Sequence, residues 1–256
     1  MANVLVCIKR VPDVSGEVML TDDEQSVDAK HVGFTVSPHE ECAVELATQI
    51  AESTGGKASV LTVGPADAIE QLRAALAVGA SDGVLVEAEL DAIGSGDVAR
   101  AVAGVVRARA DAGTHYDVIL LGNDAADTGD FQVPTRLAYA LDRPVVSNVA
   151  LVSVDGDTVV AKGDGPDGVE IYELPVPAVV AVMEGGVSPR YPSIPGRMKA
   201  KKAPVETVAF DGEPRGASRV RLKLPPRKPS TVQILGRGPD AAPAVVDVLI
   251  EAGVFS

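Results

Sequence analysis

Val4-Leu5-Val6-Cys7-Ile8-Lys9-Arg10-Val11 is an apolar run broken only by one basic pair, a composition that suits a strand covered on both faces. The same grammar repeats downstream. Ser37 and Glu40 stand at capping-box spacing, Pro38 occupies the first helical position, and Cys42, Leu46 and Ile50 recur on one face until Gly55 and Gly56. That pattern predicts a helix of about four turns. Val60 to Val63 is the next strand, and Gly64 and Pro65 turn into a helix carrying Ile69, Leu72 and Leu76, ended by Gly79. Val84 to Val86 is a short strand, Val98, Val102, Val105 and Val106 mark a helical stripe, and Tyr116 to Leu121 is a strongly apolar fourth strand. The expected fold is α/β, an open and mostly parallel sheet with right-handed crossovers and helices on both faces.

Composition narrows the class of function. With 256 residues, 46% of them hydrophobic, the chain can bury a sizeable core. No run of about 18 apolar residues occurs, and Met1 to Arg10 reads as a strand without a basic, Ser-rich presequence, so no membrane insertion and a cytoplasmic location are expected. The formal charge of -13 disfavours nucleic acid and anionic membrane surfaces. Cys7 and Cys42 lie far apart, and the three histidines are scattered, so no metal or iron-sulfur spacing is present. Any redox group must be borrowed. Cys42 falls on the core face of its helix and reads as a buried small hydrophobe rather than a reactive thiol.

The run from Gly122 to Val133 is a polar loop between a strand and a helix that Pro134 can open. In open α/β sheets the crevice beyond the carboxyl ends of the strands receives ligands, and a helix N-terminus offers unpaired N–H groups to a phosphate. The loop's carboxylates, Asp124, Asp127 and Asp130, would repel one, so a solvated loop capped by Asp130 is the competing reading. Beyond Val145 to Val149, hairpin and loop signals at Asp155 to Asp157 and Asp164 to Gly168 precede a strand at Ala178 to Met183, and these strands are expected to extend the sheet. From Glu184 the chain is Pro- and Gly-rich, with Lys199, Lys201 and Lys202 clustered and Pro225 to Pro229 punctuating a long tail. The tail ends in an amphipathic segment, Ala244 to Ala252, whose Val245, Val248 and Leu249 call for a packing partner.

Pro189-Arg190-Tyr191-Pro192-Ser193-Ile194-Pro195-Gly196, followed by Met198-Lys199-Ala200-Lys201-Lys202, resembles the signature of the electron transfer flavoprotein beta-subunit family. Lys9-Arg10-Val11, the Ser37-Pro38 helix start, Gly64-Pro65, Ala77-Val78-Gly79-Ala80 and the polar loop fall at the family's places, so the resemblance covers nearly the whole chain. It implies an adenine-nucleotide-binding domain over residues 1–205, with a docking loop at 190–199, and an arm over 206–256 that wraps an alpha subunit. It also implies FAD held mainly by that alpha subunit and AMP in the beta fold. The AMP contacts carried over are Cys7, Ser37, Pro38, His39, Glu40, Val63, Gly122, Asn123, Asp124, Ala125, Ala126, Asp127, Thr128, Gly129, Asp130, Phe131, Gln132 and Val133, mostly through backbone groups. Backbone donors can take a phosphate while acidic side chains point elsewhere, which favours the ligand reading of the loop.

For docking, the resemblance implies Arg190, Tyr191, Ile194, Pro195, Lys199 and Lys202, with Ile194 at the position of a hydrophobic anchor that is usually Leu. A side chain of that kind between two prolines fits a partner's pocket better than its own core. Lys199 and Lys202 match positions that family members methylate, and an ordinary solvated basic cluster is the simpler reading. His39 is expected only to flank the cap. The implied function is an electron carrier without catalytic residues of its own, passing electrons from acyl-CoA-type dehydrogenases of fatty acid beta-oxidation to a membrane quinone oxidoreductase. Gln132-Val133-Pro134 is closer to the Gln-Val of electron-bifurcating relatives than to Gln-Thr-Gly, so an NADH-dependent bifurcating subunit with a second FAD is the alternative. Ser37-Pro38-His39 in place of Asn-Pro-Phe, Asp127-Thr128-Gly129-Asp130 in place of Asp-Gly-Asp-Thr, and Val14 in place of an aromatic near the flavin are the other departures. A nucleotide-binding stress or regulatory protein ranks last, since no Gly-rich phosphate loop is present.

Overall fold

The apolar run at the N-terminus becomes strand β1 (Val4–Ile8), and both of its faces are covered. Val4, Val6 and Ile8 enter one buried cluster and Leu5 and Cys7 another, on opposite sides of the sheet. That two-sided burial is why the run is continuous rather than alternating. In this computed structural model residues 1–13, 15, 18–30, 32–215, 220–226 and 232–254 are described. Val14 and the 227–229 end of the Pro225 to Pro229 stretch lie outside the described residues. The chain divides into two units, Met1–Leu222 and Lys223–Ser256.

After β1 a small antiparallel pair, β2 (Val11–Pro12) and β3 (Phe34–Thr35), leads into helix α1 (Pro38–Thr54). Ser37 is its N-cap, with Pro38 in the first turn, and Gly55 ends it at φ 72. A left-handed residue there costs glycine nothing and lets the chain reverse into β4 (Ala58–Gly64). The units β4, α2 (Ile69–Ala77), β5 (Asp82–Glu87), α3 (Ser95–Asp111), β6 (Val118–Gly122) and α4 (Val133–Leu141) follow in order. Cys42, Leu46 and Ile50 of α1, Leu72 and Leu76 of α2, and Ala200 share one buried face. Val102, Val105 and Val106 of α3 and Leu137 of α4 fill the other. Each such aliphatic side chain, fully buried, contributes about 1.5–3 kcal/mol.

Next come β7 (Val145–Val149), β8 (Leu151–Asp155), β9 (Thr158–Gly165), β10 (Gly168–Pro175) and β11 (Ala178–Val182). Helix α5 (Ile194–Lys202) and strand β12 (Val205–Ala209) close the sequence of the sheet. The main sheet has seven strands in the order β12-β5-β4-β1-β6-β11-β7, and its pairs are all parallel. The expectation that the later strands extend this sheet holds for β7 and β11 only. Strands β8, β9 and β10 form a separate three-stranded antiparallel sheet. Short turns such as Gly156, at φ 57, pair each strand with the next, and Val152, Val159, Ala161 and Leu174 then bury against the α1 side.

One further expectation and one competing reading are corrected. The stretch read as a docking loop at 190–199 is irregular only as far as Ser193, which caps α5 by accepting a hydrogen bond from the Gly196 N–H at 3.1 Å. Asp130 does not cap the helix after the polar loop, since Gln132 is the N-cap of α4 and no side chain caps it.

In the unit Lys223–Ser256, a short turn at Gly238–Ala241 leads into helix α6 (Ala242–Glu251). None of the residues of α6 is buried, and Val245, Val246, Val248 and Ile250 are exposed.

Candidate functional site

From β1 the chain winds through β4 to β5 on one side, then crosses back to β6 on the other. The strand order therefore reverses between β1 and β6, and an open α/β sheet has its ligand crevice at the carboxyl ends of the strands at such a point. A cavity of about 680 Å³ lies there, inside the range of about 300–1,000 Å³ that small-molecule sites occupy. Of the residues named from sequence, Cys7, Glu40, Val63, Gly122, Asn123, Asp124, Ala125, Asp127, Thr128, Asp130, Phe131, Gln132 and Val133 line it. Ser37, Pro38, His39, Ala126 and Gly129 stand outside the wall, and the first and third of these act on residues that form it.

Gly122 ends β6 where the sheet meets the start of α1. A Cβ there would lie 2.7 Å from Glu40 Cγ and 3.3 Å from His39 Cβ, so this approach needs glycine. Glu40 is buried, and its Oε2 accepts hydrogen bonds from the Ser37 N–H at 3.2 Å and the Ser37 hydroxyl at 3.0 Å. Burial pushes its carboxyl up to about 7, and the bonds from Ser37 and the Lys9 backbone and charge oppose that rise. The Cys7 thiol is pushed up by burial and then by Glu40, so it stays a neutral thiol.

The Glu40 shift has a sign that can be tested. A carboxyl whose folded-state pKa exceeds its unfolded one costs no stability below the unfolded value. The cost grows as pH rises between the two and is complete above the folded value. Glu40→Gln removes this cost while keeping an acceptor for Ser37. Relative to wild type, the variant should gain about 2 kcal/mol of unfolding free energy between about pH 5 and about pH 8 in urea titrations. A difference that stays constant with pH would contradict the assignment.

Each of the first two carboxylates of the polar loop has a cation or donor against it. Lys9 Nζ meets Asp127 Oδ1 at 2.7 Å. His39 accepts the Glu184 N–H at Nδ1, 2.9 Å, and its Nε2 lies 3.2 Å from Asp124 Oδ1. Acceptance at Nδ1 places the ring proton on Nε2, the nitrogen nearer Asp124. The residue expected only to flank a cap thus ties together the starts of α1 and of the loop and the segment after β11. Asn123 Oδ1 accepts the Asn148 N–H at 2.9 Å, fixing the loop start against β7. The Gln132 side-chain oxygen Oε1 accepts two bonds from the Arg136 guanidinium, at 2.9 and 2.7 Å.

The wall also contains residues that sequence reading did not assign to the site, among them Lys9, Arg10, Phe34, Leu90, Ile93 and Leu222. The basic pair was detectable, because it follows β1 directly and so sits at the carboxyl edge of the sheet. The others come from segments whose approach only the topology sets. An adenine nucleotide fits this donor set, with apolar contacts at Cys7 and Val63 and uncapped N–H groups at the first turn of α4.

A second candidate surface is the Pro189 to Lys202 segment. Arg190 binds Glu45 through Nε at 2.8 Å and Glu52 through Nη1 at 2.8 Å, and its own N–H donates to Glu45 at 3.1 Å. Arg73 of α2 donates to the carbonyls of Ala200 and Ala203 at 2.6 and 2.7 Å, satisfying the end of α5. Between these two anchors Tyr191 is 95% and Ile194 81% exposed. Pro195, Lys199 and Lys202 are exposed as well. The reading in which Ile194 fills its own core is excluded by that exposure.

Fold and crevice define an open, doubly wound α/β protein with a crevice at its switch point. Residues 26–212 match the family described as electron transfer flavoprotein domain. The chain is 35% identical over 232 residues to electron transfer flavoprotein subunit beta of Syntrophomonas wolfei, covering 90% of this chain and 89% of that protein. It is 31% identical over 257 residues to the subunit of the same description in Bacillus subtilis, covering 96% and 97%. To the acryloyl-CoA reductase electron transfer subunit gamma of Anaerotignum propionicum it is 28% identical over 270 residues, covering 98% and 99%. The chain belongs to the electron transfer flavoprotein beta-subunit family, whose members transfer electrons and pair with an alpha subunit. Among the described residues no helix is long and apolar enough to cross a membrane.

Proposed function

We propose that this chain is the beta half of a heterodimeric carrier that takes electrons from acyl-CoA-type dehydrogenases and delivers them to a membrane quinone oxidoreductase, in the cytoplasmic compartment. The observation that carries the reading is an apolar side chain, Ile194, 81% exposed and held by anchored backbone on either side. FAD, held mainly by the alpha subunit, supplies the electron-carrying chemistry when bound. This chain's residues bind and orient. Cys7, Val63 and the Gly122 to Val133 loop hold AMP, and α6 together with the rest of the C-terminal arm lies along the alpha subunit. Tyr191, Ile194, Pro195, Lys199 and Lys202 face the dehydrogenase, whereas Arg190 contributes by holding the segment in place.

Burying one aliphatic side chain contributes roughly 1.5–3 kcal/mol, enough for recognition and small enough for release. Ile194→Ala should therefore lower the efficiency of reduction by a dehydrogenase about tenfold with the flavin content of the heterodimer unchanged. Loss of flavin instead would make Ile194 structural. Co-expression with the neighbouring alpha-subunit gene, followed by flavin counting and mass spectrometry of released nucleotides, tests the whole reading. One FAD and one AMP per heterodimer are expected.

An NADH-dependent bifurcating subunit with a second FAD is the alternative. Gln132-Val133 favours it, and it requires two flavins per heterodimer and reduction by NADH.

A further inference from the structure

The crevice wall contains two cationic side chains, Lys9 and Arg10. Lys9 is engaged by Asp127 at 2.7 Å. Arg10 differs in every respect. Its guanidinium carbon stands 3.4 Å from the centroid of the Phe34 ring, a stacking that fixes the plane of the group. Its Nε is fully enclosed and has no hydrogen-bond partner among the described residues. No carboxylate among the described residues forms an ion pair with it. The enclosed Nε is out of a ligand's reach, but a planar guanidinium held flat on Phe34, lining the crevice and in no ion pair among the described residues, can turn its terminal N–H groups to an anion with parallel oxygens.

Of the carboxylates around the crevice, Asp124 and Asp127 already face His39 at 3.2 Å and Lys9 at 2.7 Å, whereas Asp130, Glu89 and Asp91 also line it and oppose an anion. Val133 and Pro134, the first residues of α4, also line the crevice, and this helix start has no side-chain cap. Pro134 has no N–H to offer, so the helix start contributes the Val133 N–H and its end of the helix dipole. We propose that Arg10 recognises the phosphoryl group of the nucleotide in this crevice, while Lys9 and His39 act as positioning residues that keep the loop carboxylates engaged. The proposal rests on the reading of the crevice as a nucleotide site.

The test uses the intact heterodimer, stripped of endogenous nucleotide and titrated calorimetrically with AMP and with adenosine at one fixed salt concentration. Wild type should bind AMP at least about tenfold more tightly than adenosine, and Arg10→Gln should weaken AMP roughly tenfold to hundredfold while leaving adenosine within about twofold. Arg10→Lys keeps the charge but not the planar fork and should fall between the two. Equal weakening of both ligands by Arg10→Gln, or an undiminished preference for AMP, would overturn the role of Arg10 alone. Wild type with no preference for AMP overturns it without any variant. Wild type that binds neither ligand overturns the nucleotide reading itself, and the role of Arg10 with it.

Discussion

Arg190→Ala is expected to lower the unfolding free energy by about 3 kcal/mol, measured by urea titration near neutral pH. The cost comes from the partner that stays behind. Glu45 is 5% exposed, whereas the Glu52 side chain is 60% exposed and loses little when its pair is broken. Burial pushes the Glu45 carboxyl up, but the hydrogen bonds from Arg190 and Gln49 and the Arg190 charge outweigh it and hold the group below its ordinary range. A depressed carboxyl contributes stability above its unfolded pKa and loses it as pH falls through the folded one. Removing the guanidinium leaves the burial opposed only by the Gln49 bond, so the deficit of Arg190→Ala should be largest at neutral pH and shrink on acidification. Combining it with Glu45→Gln should recover most of the loss, because no buried charge is then unpaired. A single variant within about 0.5 kcal/mol of wild type would show that the pair contributes nothing measurable.

Gly196→Val should cost about as much, by a different route. Gly196 lies in the first turn of α5, and a Cβ on it would stand 2.4 Å from the backbone oxygen of Ala77 at the end of α2. A backbone carbonyl has no rotamer to yield, so the helix must move. That movement breaks the cap from the Gly196 N–H to Ser193 and the bonds of Arg73 to Ala200 and Ala203. The same shift displaces Ile194, two positions before the donor Gly196. Reduction by a dehydrogenase should therefore fall further in Gly196→Val than in Ile194→Ala, although Gly196 offers no side chain to a partner. A variant with wild-type stability and wild-type reduction rate would refute the close packing.

Much of the scaffold was legible because its signals are local. The Ser37 cap, Pro38 and the left-handed Gly55 bound α1 within a residue, and the apolar runs located β1, β4 and β6. Helix α5 was not legible: Ile194-Pro195-Gly196 carries a Pro and a Gly, and only Ala200 of the helix is buried. Its helicity depends on Ser193 and on Arg73, which lies outside the helix. The antiparallel trio β8, β9 and β10 escaped for a similar reason, since strand propensity states that a segment is extended but not which sheet it joins.

The basic pair Lys9-Arg10 shows the same division on the scale of the site. Sequence alone placed it at the carboxyl end of the first strand, and with the Pro189 to Lys202 signature it determined the family and the general position of the crevice. Tertiary structure decided what the pair does. Lys9 finds Asp127 across 118 positions, and Arg190 finds Glu45 across 145. Such partners are chosen by strand order and register, in which each added helix and strand moves distant loops into contact. Local periodicity and capping carry no information about those distances, so charge pairing, the free guanidinium of Arg10 and the fixed exposure of Ile194 exist only once the sheet is assembled.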